Sequence, residues 1–215
     1  STGLELAKNG LNVTIIDKNY ICKGASGVNA GTLTMHMTRA QLIPYAQKGR
    51  ELWMNTNKWL SKEIDVEKKN GLCLAFTEDE EKLLIERTQI RKKYGADIKI
   101  ISRKEAQKID PNINSNIKCA AFCEMDGYVS ANQTGQAYSR ALRENKVKIL
   151  ENYIVSKIDF HKDKYVIIFE NGEKLNTSKI ILATGVNLEK TLKLLKIDIN
   201  IKCLPQQLIV SKRMP

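Results

Sequence analysis

The most constraining feature of this sequence is a helix-like segment, a glycine and a short apolar strand that ends in an acid. Residues 1–9 carry apolar side chains at helical spacing, and Gly10 follows where helices commonly end in a left-handed residue. Residues 11–17 are rich in β-branched side chains and end at Asp17. This order predicts the helix and second strand of a βαβ unit, whose first strand is expected upstream of Ser1.

Asp17 is the first candidate binding residue. In a dinucleotide-binding unit, the acid that closes the second strand hydrogen-bonds the ribose hydroxyls, and the phosphates lie at the N-terminus of the preceding helix. The glycine fingerprint of such units is not in this sequence. Taken alone, the segment is therefore equally consistent with an exposed aspartate at a strand end.

The rest of the chain alternates helical and extended patterns. Residues 24–34, GASGVNAGTLT, are small and polar and predict a loop whose backbone lies against a ligand. Further helices are predicted over 39–63 (interrupted near Pro44), 78–94, 102–110 and 131–145, and strands over 71–76, 97–101, 117–129, 147–150, 154–175 (with a turn at Asn171 and Gly172) and 179–185. This order predicts an α/β fold, a Rossmann-like sheet interrupted by a second domain.

Composition narrows the class of partner. The net charge is +11, but the lysines are spread along the chain among acids, and aromatic residues make up only 6%. This pattern argues against nucleic acid and leaves contact with an anionic membrane surface open. The five cysteines are scattered, without the second pair or histidine cluster that a zinc site needs, so no metal is predicted. Reduced thiols, with no apolar run long enough to cross a bilayer, favour a cytoplasmic protein.

Five segments in one order resemble FAD-dependent oxidoreductases of the D-amino-acid oxidase family, the glycine oxidase, sarcosine oxidase and D-amino-acid dehydrogenase type. They are residues 1–10, 13–18, 24–31, 126–129 and 181–185. The resemblance implies an FAD-binding domain over 1–44 and 130–190 and an α+β substrate domain over 45–129 and 191–215. It also implies that the chain is truncated at both ends, because the fingerprint precedes Ser1 and the substrate-binding half follows Pro215. Residues 202–208 resemble the turn that returns to the substrate sheet.

The resemblance implies FAD, bound without a covalent link, since nothing around Cys22 argues for one. The implied cofactor contacts are Asp17, Lys18, Gly24, Ala25, Ser26, Asn29, Ala30, Gly31, Thr32, Val155, Ala183, Thr184 and Gly185. Small residues let backbone approach the pyrophosphate closely, and Ser26 can donate to phosphate. Loop geometry at Asn29, plain core packing at Val155 and a structural turn at residues 183–185 are the competing interpretations.

The implied reaction is oxidation of the CH–NH bond of glycine, sarcosine or a D-amino acid, with hydride transfer to flavin and oxygen or a quinone as acceptor. Such chemistry needs orientation more than a protein base, so His36 is interpreted as a loop or pocket-lining residue, and no catalytic residue is named. A 2-hydroxy-acid or glycerol-phosphate dehydrogenase shares the same landmarks. A basic α/β binding module and an inactive fragment are the alternatives without redox chemistry. Homo- or hetero-oligomers are left open.

Overall fold

A computed structural model describes residues 1–60, 64–204 and 207. The chain forms two compact units, residues 1–26 with 142–215 and residues 27–141. The second unit thus includes residues 27–44 and 130–141, which the sequence-based domains joined to the cofactor part. The roles of cofactor and substrate domain remain predictions for these two units.

Seven helices and eleven strands make up the described residues. The helices are α1 (Thr2–Lys8), α2 (Ala25–Val28), α3 (Ile43–Trp53), α4 (Glu78–Lys93), α5 (Arg103–Ile109), α6 (Ala131–Glu144) and α7 (Leu188–Leu194). The strands are β1 (Thr14–Asp17), β2 (Thr32–Leu33), β3 (Val66–Lys68), β4 (Gly71–Ala75), β5 (Ile98–Ser102), β6 (Cys119–Cys123), β7 (Gly127–Val129), β8 (Lys148–Glu151), β9 (Val155–His161), β10 (Lys164–Phe169) and β11 (Lys174–Thr177). Mixed helices and strands with parallel pairing confirm the predicted α/β class.

The first unit contains a parallel pair, β1 with β8. Helix α1 ends at Lys8, and Gly10, two residues later, has a φ of 81°, the left-handed conformation that the sequence predicts. Leu4 of this helix is fully buried, and a Cβ on Gly3 would lie 3.1 Å from the Ile15 side chain. A side chain at position 3 would therefore require the Ile15 side chain to shift by a few tenths of an ångström.

An antiparallel meander, β9–β10–β11, completes the strands of the first unit. Ile158 and Ile167 lie opposite each other in the β9–β10 register and are buried. Gly172 has a φ of 85°, which suits the predicted tight turn between β10 and β11. The hairpin signal at this turn is confirmed.

The second unit contains two three-stranded antiparallel sheets, β2–β7–β3 and β4–β6–β5. Strand β6 lies between two neighbours, and all five of its residues are buried. One face of this sheet packs against Met35, Ile43 and Leu84, and the other against Ile117 and Ala106. Burying each large aliphatic side chain contributes roughly 1.5–3 kcal/mol, so this sheet is the main core of the unit.

Two helices of the second unit begin at capping boxes. The Thr77 side chain accepts the backbone N–H of Glu80, whose carboxylate accepts the N–H of Thr77. Ser102 and Glu105 make the same reciprocal contacts at the start of α5, as the sequence predicts. Gly95, with a φ of 94°, follows α4 at its predicted end.

Two predictions of local structure are wrong. Residues 24–34, predicted as loop, contain the single helical turn α2 and the short strand β2. Residues 179–185, predicted as a strand that runs into a turn, form no ladder in the described part of the chain; Gly185 begins a 3-10 turn, and Ile181 is 61% exposed. An apolar run indicates a preference for extended backbone, but a strand also requires a neighbour to complete its hydrogen bonds.

The predicted helix over 39–63 begins later than expected. A 3-10 turn, Ala40–Leu42, precedes α3, and Pro44 lies in the first turn of that helix. Proline is tolerated there because its missing N–H would have no helical partner. Residues 61–63 lie outside the described residues, as do residues 205, 206 and 208 of the predicted turn at 202–208.

We expect Thr77→Ala to lower the free energy of unfolding by about 1 kcal/mol, because α4 loses its side-chain cap. Thr77→Ser keeps the hydroxyl and is the matched control. Urea denaturation followed by circular dichroism measures both variants. Equal midpoints for the alanine and serine variants would contradict the capping role.

Candidate functional site

Asp17 lies at the carboxyl end of β1, beside Glu151 at the end of β8. One carboxylate oxygen of Asp17, Oδ1, accepts the backbone N–H of Asn19 at 2.8 Å. Its Oδ2 has no hydrogen-bond partner among the described residues. Asp17 can therefore accept further hydroxyl donors at this sheet edge, which fits the ribose of a dinucleotide.

Backbone contacts join the ends of the two parallel strands. The N–H of Tyr153 donates to the Asp17 carbonyl at 3.0 Å, and that of Asn152 donates to Asn19 at 2.8 Å. These bonds bring Asp17 and Lys18 next to the segment that leads into Val155. Val155 itself is half-buried at the start of β9 and pairs with Phe169, so the structural interpretation of Val155 also fits.

Glu151 is a residue that the sequence analysis missed. Its Oε1 accepts the backbone N–H of Ile21 at 3.1 Å, which fastens the loop after β1 to the end of β8. The signal was available, because Glu151 directly follows its predicted strand, residues 147–150, and is an acid like Asp17 at the end of β1. It was not recognised because only the pairing of the two strands places the two acids side by side.

Gly24, Ala25 and Ser26 are exposed in the first unit. A Cβ built on Gly24 meets no atom within 4 Å, so the backbone here borders open space. The absence of side-chain bulk allows a ligand to approach this backbone directly. The geometry is compatible with the predicted approach to a pyrophosphate.

The second unit contains the predicted cofactor segment, residues 29–32, whose backbone conformation is fixed by hydrogen bonds and close contacts. The Asn29 side chain accepts the Gly31 N–H at 2.8 Å, which supports the loop-geometry interpretation of Asn29. Gly31 has a φ of 68°, and a Cβ there would lie 1.8 Å from the Val129 carbonyl oxygen. Thr32 pairs with Tyr128 in the β2–β7 ladder, and Ala30 is exposed.

Ala183, Thr184 and Gly185 form an exposed bend in the first unit. The Thr191 hydroxyl donates to the Thr184 hydroxyl oxygen at 3.1 Å, and Gly185 begins a 3-10 turn with a φ of 55°. The turn interpretation of these residues therefore has direct support. Their predicted contact with flavin stays a prediction.

His36 is a nearly buried side chain of the second unit. Its Nε2 lies 3.2 Å from the Gly71 carbonyl oxygen and 3.8 Å from Oδ2 of Asp126. Both neighbours are acceptors, so the geometry requires a proton on Nε2. Asp126, another residue that the sequence analysis did not single out, is only 6% exposed.

The buried cysteines are chemically quiet. Burial, followed by the nearby charge of Asp126, raises the pKa of the Cys123 thiol to about 12, and burial also raises the pKa of Cys119. Both are therefore protonated thiols at neutral pH, which makes them poor nucleophiles and metal ligands.

The described part of the chain contains neither a candidate metal cluster nor a candidate membrane-spanning helix. Among residues 1–60, 64–204 and 207, no three or more His, Cys, Asp or Glu side chains cluster in a way that could hold a metal ion. Within the same residues, no helix has the length and apolar character needed to cross a bilayer.

The first unit packs a helix on a parallel pair whose first strand ends in an acid, an arrangement typical of dinucleotide-binding α/β folds. The family model for FAD-dependent oxidoreductases, DAO, matches residues 1–215. The chain therefore belongs to the DAO family of FAD-dependent oxidoreductases. The predicted family and FAD as its cofactor are confirmed.

Individual relatives agree with this assignment. The chain is 27% identical over 203 residues to glycerol 3-phosphate oxidase of Mycoplasma pneumoniae, covering 86% of this chain and 50% of that protein. The crystal structure of glycine oxidase from Geobacillus kaustophilus matches with a TM-score of 0.83 and 24% identity, covering 91% of this chain and 55% of that one. L-α-glycerophosphate oxidase from Mycoplasma pneumoniae, solved with FAD bound, matches with a TM-score of 0.81 and 25% identity, covering 90% and 53%. The chain thus spans about half the length of these relatives.

The two loop glycines give a paired prediction. We expect Gly31→Ala to destabilise the protein by at least about 1 kcal/mol, because alanine is strained at positive φ and its Cβ would overlap the Val129 carbonyl. Gly24→Ala should leave the unfolding midpoint unchanged, because its Cβ enters open space. A lower FAD affinity in the stable Gly24→Ala protein would then report a lost approach to the cofactor. Equal midpoints for both variants in urea denaturation would contradict this difference.

Proposed function

We propose that this chain is the FAD-binding part of an oxidoreductase that oxidises the CH–NH bond of a small amine or amino acid. The observation that carries the cofactor assignment is Asp17 at the shared carboxyl end of β1 and β8, with one carboxylate oxygen turned to no described partner. When bound, FAD supplies the acceptor for the hydride that leaves the substrate carbon.

The first unit supplies the proposed nucleotide contacts. Asp17 accepts hydrogen bonds from the ribose hydroxyls, and the backbone around Gly24, Ala25 and Ser26 approaches the pyrophosphate. Lys18, next to Asp17, adds positive charge near a doubly negative ligand. The proposed contact at Val155 goes through its backbone, because its side chain is half-buried in the meander.

The other residues proposed to contact the cofactor are held in place by local hydrogen bonds. In the second unit, Asn29, Ala30, Gly31 and Thr32 form a short segment fixed by an Asn29 turn and by the β2–β7 ladder. In the first unit, residues 183–185 form a bend closed by the Thr191 hydroxyl. A fixed backbone contributes binding because little conformational entropy is lost when the cofactor arrives.

A non-covalent complex is the proposed mode of binding. Burial raises the pKa of the Cys22 thiol above its ordinary value, so little thiolate is present at neutral pH. A protonated thiol is a weak nucleophile toward any flavin carbon. The thiol chemistry therefore supports a cofactor held by hydrogen bonds and packing.

The structural similarity to glycine oxidase supports the amine substrate. The 27% sequence identity to a glycerol 3-phosphate oxidase supports a second candidate reaction, oxidation of glycerol phosphate or a 2-hydroxy acid. Both reactions remove hydride from a carbon that bears a heteroatom. We propose no catalytic residue among the described residues of this chain. The proposal further includes oxygen or a quinone as the electron acceptor, a cytoplasmic location, peripheral contact with a membrane and assembly into oligomers.

We expect Asp17→Asn to lower the affinity for FAD by about tenfold to a hundredfold, because a charged acceptor of the ribose hydroxyls is lost. Asparagine keeps an oxygen for the Asn19 N–H, so the turn after β1 should survive. Quenching of flavin fluorescence on titration with protein measures the affinity. Asp163→Asn, in the exposed turn after β9, is the matched control, and equal affinities of the two variants would exclude Asp17 from the site.

Anaerobic bleaching of the bound flavin identifies the substrate class. We expect glycine, sarcosine or a D-amino acid to bleach the visible flavin bands of the intact protein, because a hydride donor reduces the ring. Glycerol 3-phosphate is tested in parallel. Bleaching by glycerol 3-phosphate alone would replace the amine proposal with the second candidate.

A further inference from the structure

The second unit buries a carboxylate that the proposed function does not use. Asp126 lies in the turn between β6 and β7, and its side chain is 8% exposed. Its Oδ2 accepts the Thr34 hydroxyl at 2.8 Å, and its Oδ1 accepts the backbone N–H of Met35 at 2.9 Å. A buried carboxylate is costly unless such donors compensate it, so these contacts are specific.

The residues around the Asp126 carboxylate leave little space for it to move. A Cβ on Gly71 would lie 2.0 Å from Oδ2 of Asp126, so any larger residue there would displace the carboxylate. His36 lies 3.8 Å away through Nε2, and the Cys123 thiol is the other titratable neighbour. Thr34 also accepts the backbone N–H of His36 at 3.1 Å, so the contacts continue along residues 34–36.

The same turn is continuous with the ladder that holds the predicted cofactor segment. The Val129 N–H donates to the Gly31 carbonyl at 2.9 Å, and Thr32 and Leu33 pair with β7. Residues 31–35 are thus held against residues 126–129 along their whole length. Backbone bonds hold the first half of the segment, and the Asp126 side chain holds the second half.

We propose that Asp126 is a positioning residue that fixes the backbone of residues 29–35 for contact with the cofactor. Its two hydrogen bonds hold Thr34 and Met35, which directly follow the short β2–β7 ladder, and so prevent that ladder from opening at its Leu33 end. The effect reaches the cofactor through the backbone of Gly31 and Thr32. This last step rests on the proposed function, whereas the local effect on Met35 does not.

Four variants of the intact protein test the proposal. Asp126→Ala removes both acceptors, and Asp126→Asn keeps one oxygen for the Met35 N–H. Thr34→Val removes the hydroxyl that donates to Asp126 and accepts the His36 N–H, and Thr34→Ser restores it. Glu124→Ala is the matched control, because Glu124 is an exposed acid of the same turn that pairs, among the described residues, only with Lys99, at 3.9 Å.

Three measurements are made on each protein: hydrogen exchange at the Met35 amide, FAD affinity with the shape of the visible flavin bands, and the unfolding midpoint. We expect Asp126→Ala to speed exchange at Met35 and to weaken FAD binding, each by about tenfold or more, since a hydrogen bond to a charged group is lost. Amides of β6 should exchange as before. Asp126→Asn and Thr34→Ser should recover most of the wild-type behaviour, and Glu124→Ala all of it.

The outcomes separate the two levels of the proposal. Unchanged exchange at Met35 in Asp126→Ala overturns the positioning role. If the alanine protein does not fold, unaltered FAD affinity and flavin bands in Thr34→Val overturn it instead. Faster exchange with unaltered FAD affinity and flavin bands also overturns it, because the effect then stops short of the cofactor. A wild-type protein that binds no FAD contradicts the proposed function instead, while the exchange data still decide the local contact.

Discussion

The parallel pairing of β1 with β8 is the interaction on which the proposed cofactor contacts of the first unit depend. The register sets Asp17 opposite Glu151, although about 130 residues separate them in the chain. Two like charges in such positions repel each other. The Asp17 carboxylate also accepts the backbone N–H of Asn19, and the Glu151 carboxylate accepts that of Ile21. These hydrogen bonds offset the repulsion and hold the loop after β1 in place.

Close backbone approach plays the corresponding role in the second unit. A Cβ on Gly31, Gly71 or Gly127 would lie within 2.4 Å of a carbonyl or carboxylate oxygen of a neighbouring segment. Glycine at these three positions lets the strands and the Asp126 turn come together without a gap that water would fill. The consequence is a segment, residues 29–35, whose conformation is set by contacts far away in sequence rather than by its own preferences.

Local features of the fold were predictable because they depend on neighbouring residues only. The capping box at Ser102 and the left-handed residues Gly10 and Gly172 occur where the sequence predicts them. Failures occurred where a partner decides the outcome. The run 179–185 has the composition of a strand but no described neighbour, and the small residues after Gly24 form a helical turn.

The sequence by itself determined the family resemblance, FAD as the cofactor, and Asp17 as the acid at the end of a strand. These conclusions follow from residue order and from the short-range geometry of helices, turns and strand ends. Only the tertiary structure decided that Glu151 lies beside Asp17 and that Asp126 holds Thr34 and Met35. Both contacts join residues more than 90 positions apart, and such pairing depends on strand register and burial, which no local pattern encodes.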